Sequence, residues 1–119
     1  MSLRKICRAK IHKATITKKD LDYQGSIGID GELLRASGIL PNEMVLVLNY
    51  RNAQRFETYV IEEERNSGII ALYGPAAKLG EIGDRVTILS YAFLDEDEAG
   101  ESKMKIVNVD ENNRLIKKN

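Results

Sequence analysis

Glu43-Met44-Val45-Leu46-Val47, followed 41 residues later by Asp84-Arg85-Val86-Thr87-Ile88, decides how this chain is read. Each run opens on an acidic residue. Each then sets apolar side chains at alternate positions, the period at which a strand returns to the same face. Ala36 and Ala77 stand ahead of them, each before a turn. The echo at one fixed spacing reads as a pseudo-repeat and favours a closed β-barrel over a sandwich. Met44–Leu48 is almost continuously apolar, so it is predicted to be buried on both faces.

The rest of the chain supplies more short strands. Residues 5–17 are rich in β-formers and contain neither glycine nor proline. Further strands are predicted at 26–30, 55–61, 68–73, 86–91 and 105–109, with a last short run at 114–117. Asn66-Ser67-Gly68 reads as a hairpin turn joining the run that ends at Ile61 to the run that ends at Tyr73. Helices are few: 31–37 closed by Gly38 at its C-terminal cap, a single turn at 76–79, and 95–100 with Asp95 as N-cap. The fold class is therefore mainly β with a few short helices. The last residues, Lys117-Lys118-Asn119, are expected to be loosely held.

Composition narrows the function. The 119 residues suffice for one domain with a real core. Lysine plus arginine equals aspartate plus glutamate, 18 against 18, so no global basic field attracts nucleic acid or an anionic membrane. One cysteine, Cys7, excludes an intrachain disulfide and is expected to be a small buried residue. One histidine, His12, leaves no multi-histidine metal site, so no metal is expected. Neither a secretory signal nor a membrane span is expected, since Met1-Ser2-Leu3-Arg4-Lys5 leads into no long apolar run. The expectation is a soluble cytoplasmic domain. Asp95-Glu96-Asp97-Glu98 reads as a solvated surface.

Four groupings could carry chemistry. Gly25-Ser26 puts a hydroxyl beside a glycine peptide, whose carbonyl a nucleophile can approach closely because glycine lacks a Cβ. Lys10 and His12 share one face of a strand, and so do Arg55, Glu57 and Tyr59, while Thr58 points the other way. Tyr73-Gly74-Pro75-Ala76-Ala77 is a sharp loop of small residues opening a helical turn, where free N–H groups favour an anion. Taken singly, each is also an ordinary turn or an exposed polar face.

Their order along the chain resembles one family throughout, the pyruvoyl-dependent aspartate 1-decarboxylases. The matching pieces are Lys10-Ile11-His12-Lys13-Ala14-Thr15-Ile16-Thr17, Leu21-Asp22-Tyr23-Gln24-Gly25-Ser26-Ile27-Gly28-Ile29-Asp30, Ala36-Ser37-Gly38-Ile39-Leu40-Pro41-Asn42-Glu43 and Arg55-Phe56-Glu57-Thr58-Tyr59. Gly83-Asp84, Asp95–Ala99 and Val109–Asn113 continue the match almost to the C-terminus. The resemblance implies a double-psi β-barrel with pseudo-twofold symmetry, and a homotetramer with sites between subunits. It implies one domain over 1–119, self-cleaved between Gly25 and Ser26 into a β-chain 1–25 and an α-chain 26–119. Ser26 would become a covalent pyruvoyl group, with Thr58 assisting cleavage.

The activity so implied is decarboxylation of L-aspartate to β-alanine and CO2, through a Schiff base, for pantothenate biosynthesis. Tyr59 would be the proton donor. Arg55, Lys10, His12, Thr58 and the backbone of Gly74-Pro75-Ala76 would bind the substrate. The resemblance leaves open whether maturation needs a helper protein.

The chain departs from the family where Asn-Gly-Ala-Ala-Ala is usual and Tyr73-Gly74-Pro75-Ala76-Ala77 stands. Pro75 lacks an N–H, and Tyr73 offers one hydroxyl in place of an amide. A smaller departure is Asn52-Ala53, where Asn-Gly is common. The altered loop motivates a second reading, a non-catalytic barrel that serves as a binding or assembly module; a third is a related pyruvoyl decarboxylase with shifted substrate choice.

Overall fold

Residues 2–116 are described by a computed structural model. In chain order they form β1 (Arg4–Thr15), β2 (Lys18–Asp20), β3 (Ser26–Asp30), α1 (Gly31–Ser37), β4 (Met44–Asn49), β5 (Arg55–Glu63), β6 (Ile70–Tyr73), a 3-10 turn (Gly74–Lys78), β7 (Arg85–Leu94), α2 (Glu96–Glu101) and β8 (Lys105–Asn108). The fold is mainly β, as expected. The strands make one sheet in the order β2-β6-β3-β5-β4-β7-β1-β8.

That sheet closes on itself because β1 and β2 are nearly one strand. At their junction Ile16 N–H donates to Asp84 O (2.9 Å) and Thr17 N–H to Ile70 O (2.8 Å). The chain thus passes from its antiparallel partner β7 to its parallel partner β6 without leaving the wall. Closure removes the two free edges that an open sheet of these strands would expose. β8 then lies parallel to β1, outside the ring.

The echo in the sequence is a pseudo-twofold of the barrel. The β1/β2 path is antiparallel to β7 and parallel to β6; β5 is antiparallel to β4 and parallel to β3. The two halves meet where Val47 pairs with Ile88 and where Gly28 pairs with Ala71. The turns before β4 and β7 match in detail. Leu40 N–H donates to Glu43 Oε1 (3.1 Å), and Glu81 N–H to Asp84 Oδ2 (2.8 Å). Arg8 pairs with Glu43 (3.2 Å) and Arg51 with Asp84 (2.7 Å). The halves also exchange partners: Asn49, ending β4, donates to Asp84 (2.9 Å), and Ser90 of β7 donates to Glu43. These polar contacts explain why an acidic residue opens both strands. Asp84 is buried and Glu43 partly so; carboxylates withdrawn from water need donors, and each turn supplies them from both halves.

Inward-facing aliphatic side chains fill the ring. Ile11, Ile16, Ile27, Ile29, Val45, Val47, Val60, Ile70, Leu72, Val86 and Ile88 are all completely buried. Each contributes on the order of 1.5–3 kcal/mol by leaving water. α1 begins at Asp30, whose Oδ1 accepts from Glu32 N–H (2.8 Å), and ends as predicted at Gly38 (φ 78°). α2 is capped by Asp95, which accepts from Glu98 N–H (2.9 Å), and its acidic run is largely exposed.

Several expectations need correction. Asn66-Ser67-Gly68 does turn the chain, with positive φ at Asn66 and Gly68, but it does not make a hairpin. β3 inserts between β5 and β6 and pairs with both. The final run is an isolated bridge, Val109 to Leu115, with Lys117 outside the described residues, as are Lys118 and Asn119. Cys7 is half-buried. β4 is buried on one face only: Val45 and Val47 enter the core, while Met44 is 55% exposed and Leu46 and Leu48 are half-exposed. The barrel has one interior, so the second apolar face of β4 is only partly covered by the described residues. Among the described residues, no helix is long and apolar enough to cross a membrane.

Candidate active site

Ser26 opens β3 and is completely buried. Its hydroxyl donates to Gln24 O (3.2 Å), which folds Oγ back over the peptide that precedes it. The antiparallel register pairs Ser26 with Tyr73 of β6. On the other side, the parallel register pairing Ile27 with Val60 puts Ser26 level with Tyr59 of β5. Ser26 therefore stands between two tyrosine positions at one end of the barrel.

Gly25 is held by the loop after β6. Gly74 has φ 64°, and a Cβ there would lie 2.7 Å from both Cα and N of Gly25 and 2.9 Å from Tyr23 O. Only glycine fits this crossing, for lack of space as well as for its left-handed backbone. Pro75 follows closely, its Cδ 3.3 Å from where a Cβ on Gly25 would sit. Together Gly25, Glu57, Thr58, Pro75 and Ala76 line a cleft of about 260 Å³, with Phe56 and Leu79 behind them. A larger groove of about 460 Å³ runs beside α1 past Arg35 and Arg65. Both arginines are tied to Glu32 (2.7 Å each), so that groove offers no free cation to a ligand.

The structure thus brings together Gly25, Ser26, Thr58, Tyr59, Gly74, Pro75 and Ala76. It does not bring Lys10 and His12 to them. Lys10 pairs with Leu89, Leu89 with Leu46, and Leu46 with Glu57, across β1, β7, β4 and β5. Ser26 is one strand further. Four strand spacings separate it from Lys10, on the order of 19 Å along the wall. Lys10, His12, Arg55, Glu57 and Tyr59 all lie on the barrel's outer surface, since Ala9, Ile11 and Thr58 point inward. Arg55 shares the face of Tyr59, four residues back along β5.

Local electrostatics follow from this layout. His12 is held below its usual pKa, first by burial and then by the positive charges of Lys10, Lys13 and Arg85. Its Nδ1 lies 3.5 Å from Thr87 Oγ1, which also meets Tyr50 OH (2.7 Å). Tyr73 is pushed well above the usual tyrosine range, chiefly by burial and then by the carboxylate of Glu63. Its hydroxyl donates to Glu63 Oε2 (2.6 Å), and its ring packs at a tilt against Tyr23, centroids 4.6 Å apart. Glu63 was not anticipated. The available signal was its place two residues beyond Ile61 and four beyond Tyr59, on the same strand face.

A small closed β-barrel thus holds a half-buried Gly25 and a buried Ser26 under a glycine-tight loop, beside a threonine and level with a tyrosine. The family model for aspartate decarboxylase matches residues 2–116. An aspartate 1-decarboxylase of Carboxydothermus hydrogenoformans is 54% identical over 110 residues, covering 92% of this chain and 87% of that protein. Those of Caldicellulosiruptor saccharolyticus and a Campylobacter jejuni strain are each 51% identical over 112 residues, covering 94% of this chain and 88% of theirs. The chain belongs to the aspartate decarboxylase family.

Proposed function

We propose that this chain cleaves itself between Gly25 and Ser26 and then decarboxylates L-aspartate to β-alanine, the step that feeds pantothenate and coenzyme A. The observation that carries this reading is the confinement of the Gly25–Ser26 peptide. Ser26 is fully buried, its hydroxyl is bonded one carbonyl away from the scissile one, and Gly74 presses on Gly25. A hydroxyl is a weak nucleophile, so fixed approach geometry is what the protein must supply.

In self-processing, Ser26 Oγ attacks the Gly25 carbonyl carbon and the peptide C–N bond breaks as the nitrogen takes the proton. The chain is then joined by an ester. Loss of the Ser26 α-proton expels the Gly25 carboxylate and leaves a dehydroalanine at 26. Water adds, ammonia leaves, and a pyruvoyl group remains. Thr58, on the cleft wall beside Gly25, is suited to donate to the oxyanion formed in the first step. The residues fit the group, because Ser26 begins a strand and a new N-terminus there stays seated between β5 and β6.

The ketone of the pyruvoyl group supplies an electron sink for loss of CO2. Tyr59, level with position 26, gives the proton to the substrate carbon. Arg55 binds a substrate carboxylate through its planar fork. Lys10 completes the positive surface from another copy of the chain, and His12, whose imidazole is kept neutral by burial and by the cations around it, lines the same surface as a hydrogen-bonding group. Two features support sites shared between copies, as the homotetramer of this reading requires: the separation of Lys10 from Ser26 by four strand spacings within one copy, on the order of 19 Å along the wall, and the half-covered apolar side chains on the same outer face. Met44 and Tyr50 are more than half exposed there, among half-exposed Leu46 and Leu48. The reading keeps the protein in the cytoplasm.

Intact mass decides it. Two fragments, 1–25 and 26–119, the second blocked by a pyruvoyl group, together with β-alanine from aspartate, are expected. A chain that stays whole after prolonged heating, and makes no β-alanine, overturns the proposal.

A further inference from the structure

Tyr73 ends β6 directly before Gly74, and its surroundings give it a task of its own. Its hydroxyl has one proton, and that proton is committed to Glu63 Oε2 at 2.6 Å. Tyr73 therefore has none left for the Gly25 oxygen. What it offers the scissile peptide is its ring. Ser26 and Tyr73 are cross-strand partners, so their side chains leave the sheet on the same face. The ring is almost wholly buried and packs against that of Tyr23, two residues before Gly25, with centroids 4.6 Å apart and planes tilted by 47°. Lys18 Nζ lies 5.6 Å from its centroid on the neighbouring strand β2.

Glu63 reaches this face because residue 28 is glycine. A Cβ on Gly28 would lie 2.0 Å from Glu63 Oε2 and 2.8 Å from its Cδ. Gly28 is two residues along β3 from Ser26 and so presents the same face. The carboxylate of Glu63 is thus laid flat over β3, within reach of the Tyr73 hydroxyl. Three residues depend on one another here: Gly28 leaves the space, Glu63 fills it, and Tyr73 is anchored by it.

We propose that Glu63 and Tyr73 are a positioning pair for self-processing. Their hydrogen bond fixes the Tyr73 ring, and the fixed ring holds Tyr23-Gln24-Gly25 through its tilted packing against Tyr23, so that the Gly25 carbonyl stays within reach of Ser26 Oγ. Neither residue exchanges a proton with the reacting atoms. The inference rests on the self-cleavage reading above.

The test follows scission by intact mass, starting from freshly made, unprocessed chains. Tyr73→Phe removes one oxygen and keeps the ring; Glu63→Leu removes the acceptor. Each is expected to slow scission about tenfold, a modest share of what orientation can contribute. The double variant is expected to be no slower than either single one, because both remove the same bond. Glu63→Gln keeps an acceptor oxygen and is expected to recover most of the wild-type rate. Once processed, every variant is expected to turn over aspartate at the wild-type kcat per pyruvoyl group.

Wild-type scission rates in Tyr73→Phe and Glu63→Leu overturn the pairing, as does a double variant whose losses multiply. Failure of Glu63→Gln to recover overturns it too, since the carboxylate charge would then be what matters. If the wild-type chain does not cleave, the self-cleavage reading falls and takes this role with it. Normal cleavage of the wild type with unaffected variants removes the pair alone.

Discussion

Gly74→Ala probes the crossing of the two backbones beside the candidate scissile bond. The new Cβ would sit 2.7 Å from Gly25 Cα, 2.7 Å from Gly25 N and 2.9 Å from Tyr23 O, all backbone atoms that cannot rotate away. Holding an alanine at φ 64° costs about 1–2 kcal/mol. Forcing the two segments apart costs about 1–3 kcal/mol more. The stiffer unfolded chain returns about 0.4–1 kcal/mol. The net loss is about 2–4 kcal/mol, or roughly 8–16 °C in Tm at about 4 °C per kcal/mol for a chain of this size. Gly38→Ala is the control. Its φ is 78°, but its Cβ would meet only Arg8 Nη1, the far end of a flexible side chain, at 3.3 Å. It should lose about 1 kcal/mol, or roughly 4 °C. Both are to be measured by thermal unfolding in a Ser26→Ala background, where no scission intervenes, and Gly74→Ala is then to be assayed for scission with Ser26 restored. Equal losses of Tm at the two glycines, or scission of Gly74→Ala at the wild-type rate, would refute the close-approach argument.

Other outcomes follow from the same geometry. Ala53 sits at φ 60° in the turn joining β4 to β5, so Ala53→Gly should raise stability by about 0.5–1 kcal/mol, readable as a higher urea midpoint. The Arg51 guanidinium, helped by Asn49 and the Glu81 N–H against the effect of burial, holds the Asp84 carboxyl far below the usual range. Its stabilisation is therefore complete above the unfolded value of about 3.9 and is lost as pH falls through the lower folded value. Asp84→Asn should be less stable than wild type at pH 6 and should lose less stability between pH 5 and pH 2; an unchanged acid limb counts against the ion pair. Thr58→Val should slow scission at least about tenfold by removing one oxyanion donor. Tyr59→Phe should leave scission intact yet lower kcat at least about a hundredfold, and normal turnover in that variant removes Tyr59 as the proton donor.

Much of this architecture is legible in the chain because its strands are two-sided. Val45, Val47, Val86 and Ile88 announce the interior, and Glu43 and Asp84 announce its symmetry. What local sequence does not carry is partner choice. Asn66 and Gly68 take the positive φ that a turn needs, yet nothing in those residues says that β3 will slide between the strands they join. Lys18-Lys19-Asp20 is too polar and too short to read as a strand, and it becomes one because β6 offers a free edge. The site divides in the same way. The faces of Lys10 with His12 and of Arg55 with Tyr59 follow from period two, whereas the two strands between those pairs, β7 and β4, come from register alone. Glu63 escaped notice because its reach depends on a missing Cβ at Gly28, a contact made across strands.

The continuity of β1 and β2 has a last consequence. Residues 4–20 are woven through the barrel wall, bonded to β7, β8 and β6. A break after Gly25 would leave that piece locked in place with no covalent tie to the rest. Before the break, refolding is the affair of one molecule; after it, two pieces must find each other, at a rate set by concentration. The processed protein would then remember its folding only while it stays folded, and a single melting in dilute solution would be a one-way journey.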